Sequence, residues 1–247
     1  MMSGMDPAPR RSRPRHTGPR IPAAQLRRAL AVPLFLQALA CVRAEDAVAL
    51  PDPRMEGPVS VEQALYRRRA TRSFRDVPLS LQQVSQLLWA AGGSGVDGVS
   101  GATRTAPSAG GLYPVEIYLV AGEVEGLSPG VYRYDWRAHA LRLVASGDRR
   151  QLLARAALGQ SFIASAPASV VITAVTERTA RRYGERGLER YVSMDAAHAA
   201  ENVLLQAAAL GLGSLTVGAF TDEQVRDVLG ANEELPLYIM PVGTPAG

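Results

Sequence analysis

One short apolar run sets the architecture this chain can adopt. Ser169-Val-Val-Ile-Thr-Ala-Val175 has no polar alternation and is rich in β-branched residues. It reads as a strand at the centre of a sheet, covered on both faces. Val115-Glu-Ile-Tyr-Leu-Val-Ala121 reads as a second strand. Tyr132-Arg-Tyr-Asp135 and Leu141-Arg-Leu-Val144 read as two strands of a hairpin or a small flap, Ser214 to Ala219 as a further strand and Pro236 to Pro241 as the last. Ser60 and Ser80 stand as N-caps, the first with Gln63 at the reach-back position of a capping box. Val61, Ala64 and Leu65 share a face of the first helix; Leu81, Val84, Leu87, Leu88 and Ala91 recur at helical spacing in the second. Gly92 to Gly95 stops that helix, and a flexible loop is expected from there to Thr105. Asp148 to Leu158, the long segment Leu188 to Leu210 and Thr221 to Leu229 also read as helices. Helices and strands alternate irregularly, which predicts one layered α+β domain rather than a doubly wound sheet.

A chain of 247 residues can bury a full core as one domain. All 27 basic residues are Arg, so no side-chain Schiff base can form. His16, His139, His198 and Cys41 are scattered without ligand spacing. No metal site is expected, and a lone Cys allows no internal disulfide. The formal net charge of +4 comes from the amino-terminal end. Residues 41–247 hold 20 Arg against 22 acids, a balance of −2. A nucleic-acid binder would keep a basic body, so nucleic acid is not an expected partner.

Residues 1–28 are rich in Pro and Arg and are expected to be disordered. Arg27-Arg28, the apolar run Ala29 to Ala40 and the small-x-small end Ala38-Leu-Ala40 resemble an export signal, which points to the cell envelope or periplasm. The run is short for a membrane span. Cys41 follows directly and could carry a lipid anchor, although Ala38 stands where a lipobox has Leu. The alternative is an amphipathic helix, Leu26 to Leu39, on a cytoplasmic protein. The expected organisation is a leader over 1–41, a linker or arm over 42–58 and the folded domain over 59–247.

Two segments carry the chemistry. Arg67-Arg-Arg-Ala-Thr-Arg72 puts four guanidinium groups in six residues. Their mutual repulsion is relieved by an anionic ligand, and Arg suits phosphate oxygens; the alternative is a solvated face. Ser108-Ala-Gly-Gly-Leu-Tyr-Pro114 offers small residues and free N–H groups just before a strand. It is neither a Walker loop nor a Rossmann fingerprint, and a purely structural turn is its alternative. Gly218, inside Thr216-Val-Gly-Ala-Phe220, suggests a bulge or close contact with something flat. No Gly-x-Ser-x-Gly elbow surrounds Ser108, which argues against a serine hydrolase. His198 and Asn202 lie one turn apart and read as satisfied polar positions, while Tyr132 and Tyr134 read as packing on the sheet. Tyr183, in Arg181-Arg-Tyr-Gly184, is expected in a loop from which it could face a pocket.

Taken in order, Arg68 to Phe74, Leu87 to Gly92, Arg104 to Pro114, Gly130 to Asp135, the helix end from His198 to Gly213, and Pro241 to Gly243 form a pattern. With it the chain resembles the FMN-dependent nitroreductase superfamily, in the branch containing azoline dehydrogenases of thiazole/oxazole-modified peptide pathways. The resemblance implies a three-layer sandwich, an intertwined homodimer and two FMN molecules at the subunit interface. It assigns Arg68 and Arg72, with Arg69 and Ala70 between them, to the phosphate and pyrimidine side of FMN. Ser108, Ala109, Gly110 and Gly111 would contact the cofactor from the other subunit, and Val217 and Gly218 would face N5 and O4. The implied reaction is hydride transfer between a small organic substrate and flavin N5, with Tyr183 as the candidate for proton transfer. Three departures stand out. Ala70 replaces a usual Ser, the tail Gly243 to Gly247 brings no basic residue, and Arg182-Tyr183 stands where azoline dehydrogenases carry a Lys-Tyr pair. The first two motivate the alternative of a flavin-fold protein that has lost chemistry and acts as a binding or maturation partner; the third speaks against azoline oxidation and leaves flavin binding intact. A lipid-anchored binding protein for an anionic metabolite is a third reading, carried by Cys41 and the Arg cluster.

Overall fold

The computed structural model describes residues 47–95 and 103–247. The leader, Cys41 and the middle of the loop expected after the second helix lie outside them. Seven strands form one sheet: β1 (Ala47–Ala49), β2 (Val115–Ala121), β3 (Gly130–Asp135), β4 (Ala140–Ser146), β5 (Ala168–Ala174), β6 (Gly213–Ser214) and β7 (Leu235–Gly243). Their order is β1-β4-β3-β2-β5-β7-β6, and every neighbouring pair is antiparallel. β2 and β5 sit side by side with Val115 opposite Ala174 and Ala121 opposite Ala168.

The period of two along these strands builds two cores. Ile117 and Leu119 of β2 and Ile172 of β5 pack against α2 (Leu81–Gly92) and α6 (Val192–Ala209), with Leu88 and Val203 among their partners. Tyr118 and Val120 of β2 and Val171 of β5 face the other way. There they meet α3 (Arg150–Ala156), α4 (Ser161–Ser165) and α7 (Asp222–Leu229) through Leu153, Ile163 and Leu229. Helices therefore cover both faces, giving a three-layer α+β sandwich. Leu88 and Leu119 are almost completely buried, so truncating either to Ala is expected to cost about 2–5 kcal/mol.

The caps follow the sequence. α1 (Val61–Arg67) and α2 both begin with full capping boxes, Ser60 with Gln63 and Ser80 with Gln83. A π-helical turn, Gly187–Tyr191, leads into α6, whose alanines allow close approach to the sheet. Asn202 spends its amide on the carbonyls of Ala90 and Thr105, while His198 is exposed. The arm before α1 is held by His139. The Nε2 of His139 lies 2.8 Å from Ser85 Oγ and 3.0 Å from the carbonyl of Pro51, and its Nδ1 lies 2.8 Å from the Tyr134 hydroxyl.

Three expectations change. The strand expected over 214–219 shrinks to Gly213–Ser214, with Val217 alone bridging to Ile239. Thr216, Gly218 and Ala219 are exposed, so that stretch lacks the second covered face a strand needs. The helix expected from Asp148 starts at Arg150, because the Asp148 carboxylate accepts from the Arg150 N–H, and it ends at Ala156 before Leu158 at φ 58°. On α1 only Ala64 is buried; Val61, Leu65 and Tyr66 stay exposed at 67%, 54% and 92%.

Candidate functional site

After α1 the chain runs extended along the open edge of the sheet. Ala70 bridges Ser214 in parallel, and the Thr71 N–H donates to the Ser214 carbonyl at 3.2 Å. Gly213 permits this, since a Cβ there would sit 2.6 Å from the Thr71 side chain. Docking at the edge turns Arg67, Arg68, Arg69 and Arg72 toward solvent. Arg68 lies 3.9 Å from Glu201 of α6 in an exposed contact that is worth little. Among the described residues, Arg67, Arg69 and Arg72 have no acid within ion-pair distance; Arg72 stacks 5.9 Å from the ring of Phe162. The Ser214 hydroxyl, next to this segment, is buried with no hydrogen-bond partner. Val217 exchanges both backbone hydrogen bonds with Ile239 at 2.8 and 3.0 Å. Gly218 follows it, exposed, with nothing within 4 Å of the place a Cβ would take. Unpaired cations, an orphaned hydroxyl and a bare backbone edge fit a flat, phosphorylated ligand.

Ser108 to Gly111 forms a separate constellation. A 3-10 turn over Ala109–Gly111 is held by Asp195, buried near the start of α6. The Ser108 hydroxyl donates to the Asp195 carboxylate at 2.5 Å and accepts from the Tyr113 N–H, and the Ala109 N–H reaches the same carboxylate at 3.1 Å. Gly110 and Gly111 take φ of 63° and 65°, a region L-residues rarely occupy. A Cβ on Gly110 would lie 2.6 Å from the Tyr183 hydroxyl, so glycine is what lets Tyr183 reach the loop. Tyr183 is not in a loop as expected: it ends α5 (Glu177–Tyr183), which runs up to Gly184 at φ 56°, and it packs edge-on against Tyr191, ring centroids 4.9 Å apart. Within one copy of the chain, then, Arg68, Arg69, Ala70 and Arg72 keep company with the Ser214–Gly218 edge. Ser108, Ala109, Gly110 and Gly111 keep company with Tyr183. The first group faces the exposed Glu201 side of α6 and the second its buried Asp195 side. Asp195 was detectable in the sequence only as an acid inside an Ala-rich helix.

A third feature had no sequence signal. A cleft of about 790 Å³ opens beside the glycine turn, lined by Gly111, Tyr113, Trp136 and five arginines, among them Arg104 and Arg137. Arg104 is clasped between the rings of Tyr113 and Trp136, 4.9 and 4.5 Å from their centroids. Burial lowers its pKa; Glu116 opposes that shift, and the neighbouring Arg178 and Arg137 add to it. Below the cleft, Glu116 pairs with Arg133 at 3.1 Å and Arg178 at 2.5 Å, and Glu234 accepts from Tyr118 and Thr173. Burial and the Glu234 charge push the Tyr118 phenol well above its ordinary value. Among the described residues no group of three His, Cys, Asp or Glu could hold a metal ion.

The nitroreductase family model matches residues 65–244, which takes in both constellations. The chain belongs to the nitroreductase family. A candidate nitroreductase of Methanocaldococcus jannaschii is 44% identical over 185 residues, 75% of this chain and 91% of that protein. The crystal structure of a candidate nitroreductase from Ralstonia eutropha superposes with a TM-score of 0.70 at 32% identity, covering 82% of this chain and 90% of that one. A trifolitoxin operon protein of Rhizobium leguminosarum is 28% identical over 72% of this chain and 54% of its own length. Membership makes the protein an oxidoreductase of the flavin-dependent kind.

Proposed function

We propose that this nitroreductase-family protein is an FMN-dependent oxidoreductase working as a homodimer on a small organic substrate. The observation that carries this reading is the arginine segment docked on β6. Its cations, three of them without an acid partner among the described residues, belong to a segment that docks at Ser214, whose hydroxyl is orphaned. Arg68 and Arg72 would hold the phosphate and the pyrimidine side, and Arg69 adds to the positive field that favours a reduced, anionic ring. Ala70 offers backbone only. The Gly218 N–H would orient the ring edge; the Val217 N–H, expected from the sequence to share that task, is already given to the Ile239 carbonyl at 2.8 Å. When bound, FMN supplies two-electron hydride exchange at N5. The turn Ser108 to Gly111 would close the same site from the second copy, bringing Tyr183 with it. Tyr183 would then hold or release a proton at its phenol oxygen. Arg182 cannot share that task, since a guanidinium does not lose its proton near neutral pH.

A catalytically silent binding protein is the second reading, favoured by Ala70 in the cofactor segment. Export through the leader belongs to this proposal as well, and an amino-terminal mass determination on the native protein checks it.

The direct experiment is the visible spectrum of the purified full-length protein. We expect a flavin spectrum, release of FMN on denaturation, and loss of the colour in Arg68→Ala/Arg72→Ala with the far-ultraviolet dichroism unchanged. Colourless protein that does not retain added FMN overturns the proposal. FMN retained without turnover of any donor–acceptor pair selects the silent reading.

A further inference from the structure

The cleft at the β3–β4 hairpin does something the flavin site does not explain. Its charges do not cancel. Glu116 is committed to Arg133 and Arg178, and Asp135 to Arg142 at 2.7 Å. Among the described residues, that leaves Arg104 and Arg137 without a carboxylate. Both guanidinium groups lie over the same ring, Trp136, at 4.5 and 4.4 Å. Two like charges on one indole repel each other unless an anion joins them. Arg104 is also desolvated. It gives one N–H to the Val115 carbonyl at 3.3 Å, while its Nε is buried without an acceptor. A half-buried cation whose Nε has no acceptor is costly unless something anionic completes it.

We infer that this cleft is the subsite for the carboxylate of a flat, conjugated organic acid, and that such acids are the substrate class. The inference rests on the flavin reading above, because Gly111 both lines the cleft and belongs to the turn assigned to the cofactor. Arg104 and Arg137 bind the carboxylate, and the Tyr113 and Trp136 rings on which their guanidinium groups rest hold them in place for it. A volume of about 790 Å³ admits a small molecule. The ring end of the acid then points along the glycine turn, toward Tyr183.

The test is calorimetric titration of the purified holoprotein with 4-nitrobenzoate, its uncharged counterpart 4-nitrobenzamide, and inorganic phosphate. We expect the acid to bind at least tenfold more tightly than the amide and phosphate to compete poorly. Arg137 is exposed, so Arg137→Gln should fold normally; it should cut the preference for the acid below threefold with the flavin spectrum unchanged. Arg104→Gln should do the same, with its fold checked by melting. Equal affinity for acid and amide overturns the inference. So does a preference that survives in Arg137→Gln, or phosphate competing as well as the acid. Titration reads binding alone, so the two readings fail separately. Coloured protein without acid preference sinks the subsite, and colourless protein that still prefers the acid sinks the proposed function.

Discussion

Gly110 and Gly111 have almost the same backbone conformation, with φ of 63° and 65°, yet they meet different surroundings. A methyl group at 110 would press on the Tyr183 hydroxyl at 2.6 Å, whereas one at 111 would meet nothing within 4 Å. Either substitution to Ala carries the left-handed penalty of about 1–2 kcal/mol. For a domain of this size that lowers the melting temperature by roughly 2–8 °C. Only Gly110→Ala also displaces Tyr183, and misplacing a reacting group by about 1 Å can cost on the order of a hundredfold in rate. We therefore expect similar melting temperatures for the two variants but a turnover loss of tenfold or more confined to Gly110→Ala. Steady-state turnover with a nitroaromatic acceptor and thermal melts on both proteins provide the comparison. Equal turnover would remove Tyr183 from the chemistry.

Among the helices and strands, what local pattern dictates could be read in advance. β5 was evident as a continuous apolar run and β2 as a strand, and the sequence showed the first capping box as Ser60 with Gln63 and the second helix start as an N-cap at Ser80. The run after Ser214 misled, because Leu215 and Val217 alternate like a strand while the exposed Gly218 and Ala219 leave the sheet. The arginine segment was legible because crowded like charges need a reason. Asp195 under the glycine turn and Arg104 against Trp136 were not, because residues distant in sequence meet there only through the sheet register. α1 shows the same division. Its apolar face was predictable, but within one chain only Ala64 finds a partner. Val61, Leu65 and Tyr66 remain open, as does Met194 of α6 at 52%. Exposed apolar side chains of that size suit an association surface if a second copy covers them. The homodimer proposed above would bury Leu65 and Tyr66, so Leu65→Glu/Tyr66→Glu should convert a dimer to a monomer in light scattering while the helix content stays. The same variant should lose FMN, since the turn at 108–111 would no longer arrive from the second copy. A wild-type monomer that holds its flavin would end the intertwined reading.

The fold as a whole answers to acid through carboxylates that tie separate segments together. Arg150 shows the arrangement. Its guanidinium reaches the Ala166 carbonyl before β5 at 3.0 Å, Glu123 after β2 at 2.9 Å and Asp148 ahead of α3 at 2.8 Å. The hydrogen bond from Arg150 is the largest influence on Asp148 and holds its carboxyl below the ordinary value, against some desolvation. At Asp135 desolvation is the largest single influence and pushes upward. The hydrogen bonds from Arg142 and from the N–H groups of Ala138 and Arg137 together outweigh it, and the net shift is again downward. A carboxyl held low in the folded state binds fewer protons there than in the unfolded chain, so acid favours unfolding. The stabilisation is complete above the ordinary value of 3.8 and is lost as the pH falls through the lower folded values. The melting temperature should therefore be flat from neutrality to about pH 5 and then fall on acidification toward about pH 3. Asp148→Asn should melt lower at neutral pH and show a shallower acid decline, because one of the linked protons is gone. A melting temperature that rises between pH 5 and 3, or a variant with the wild-type slope, would show that Arg150 and its acids do not join the layers as the geometry indicates.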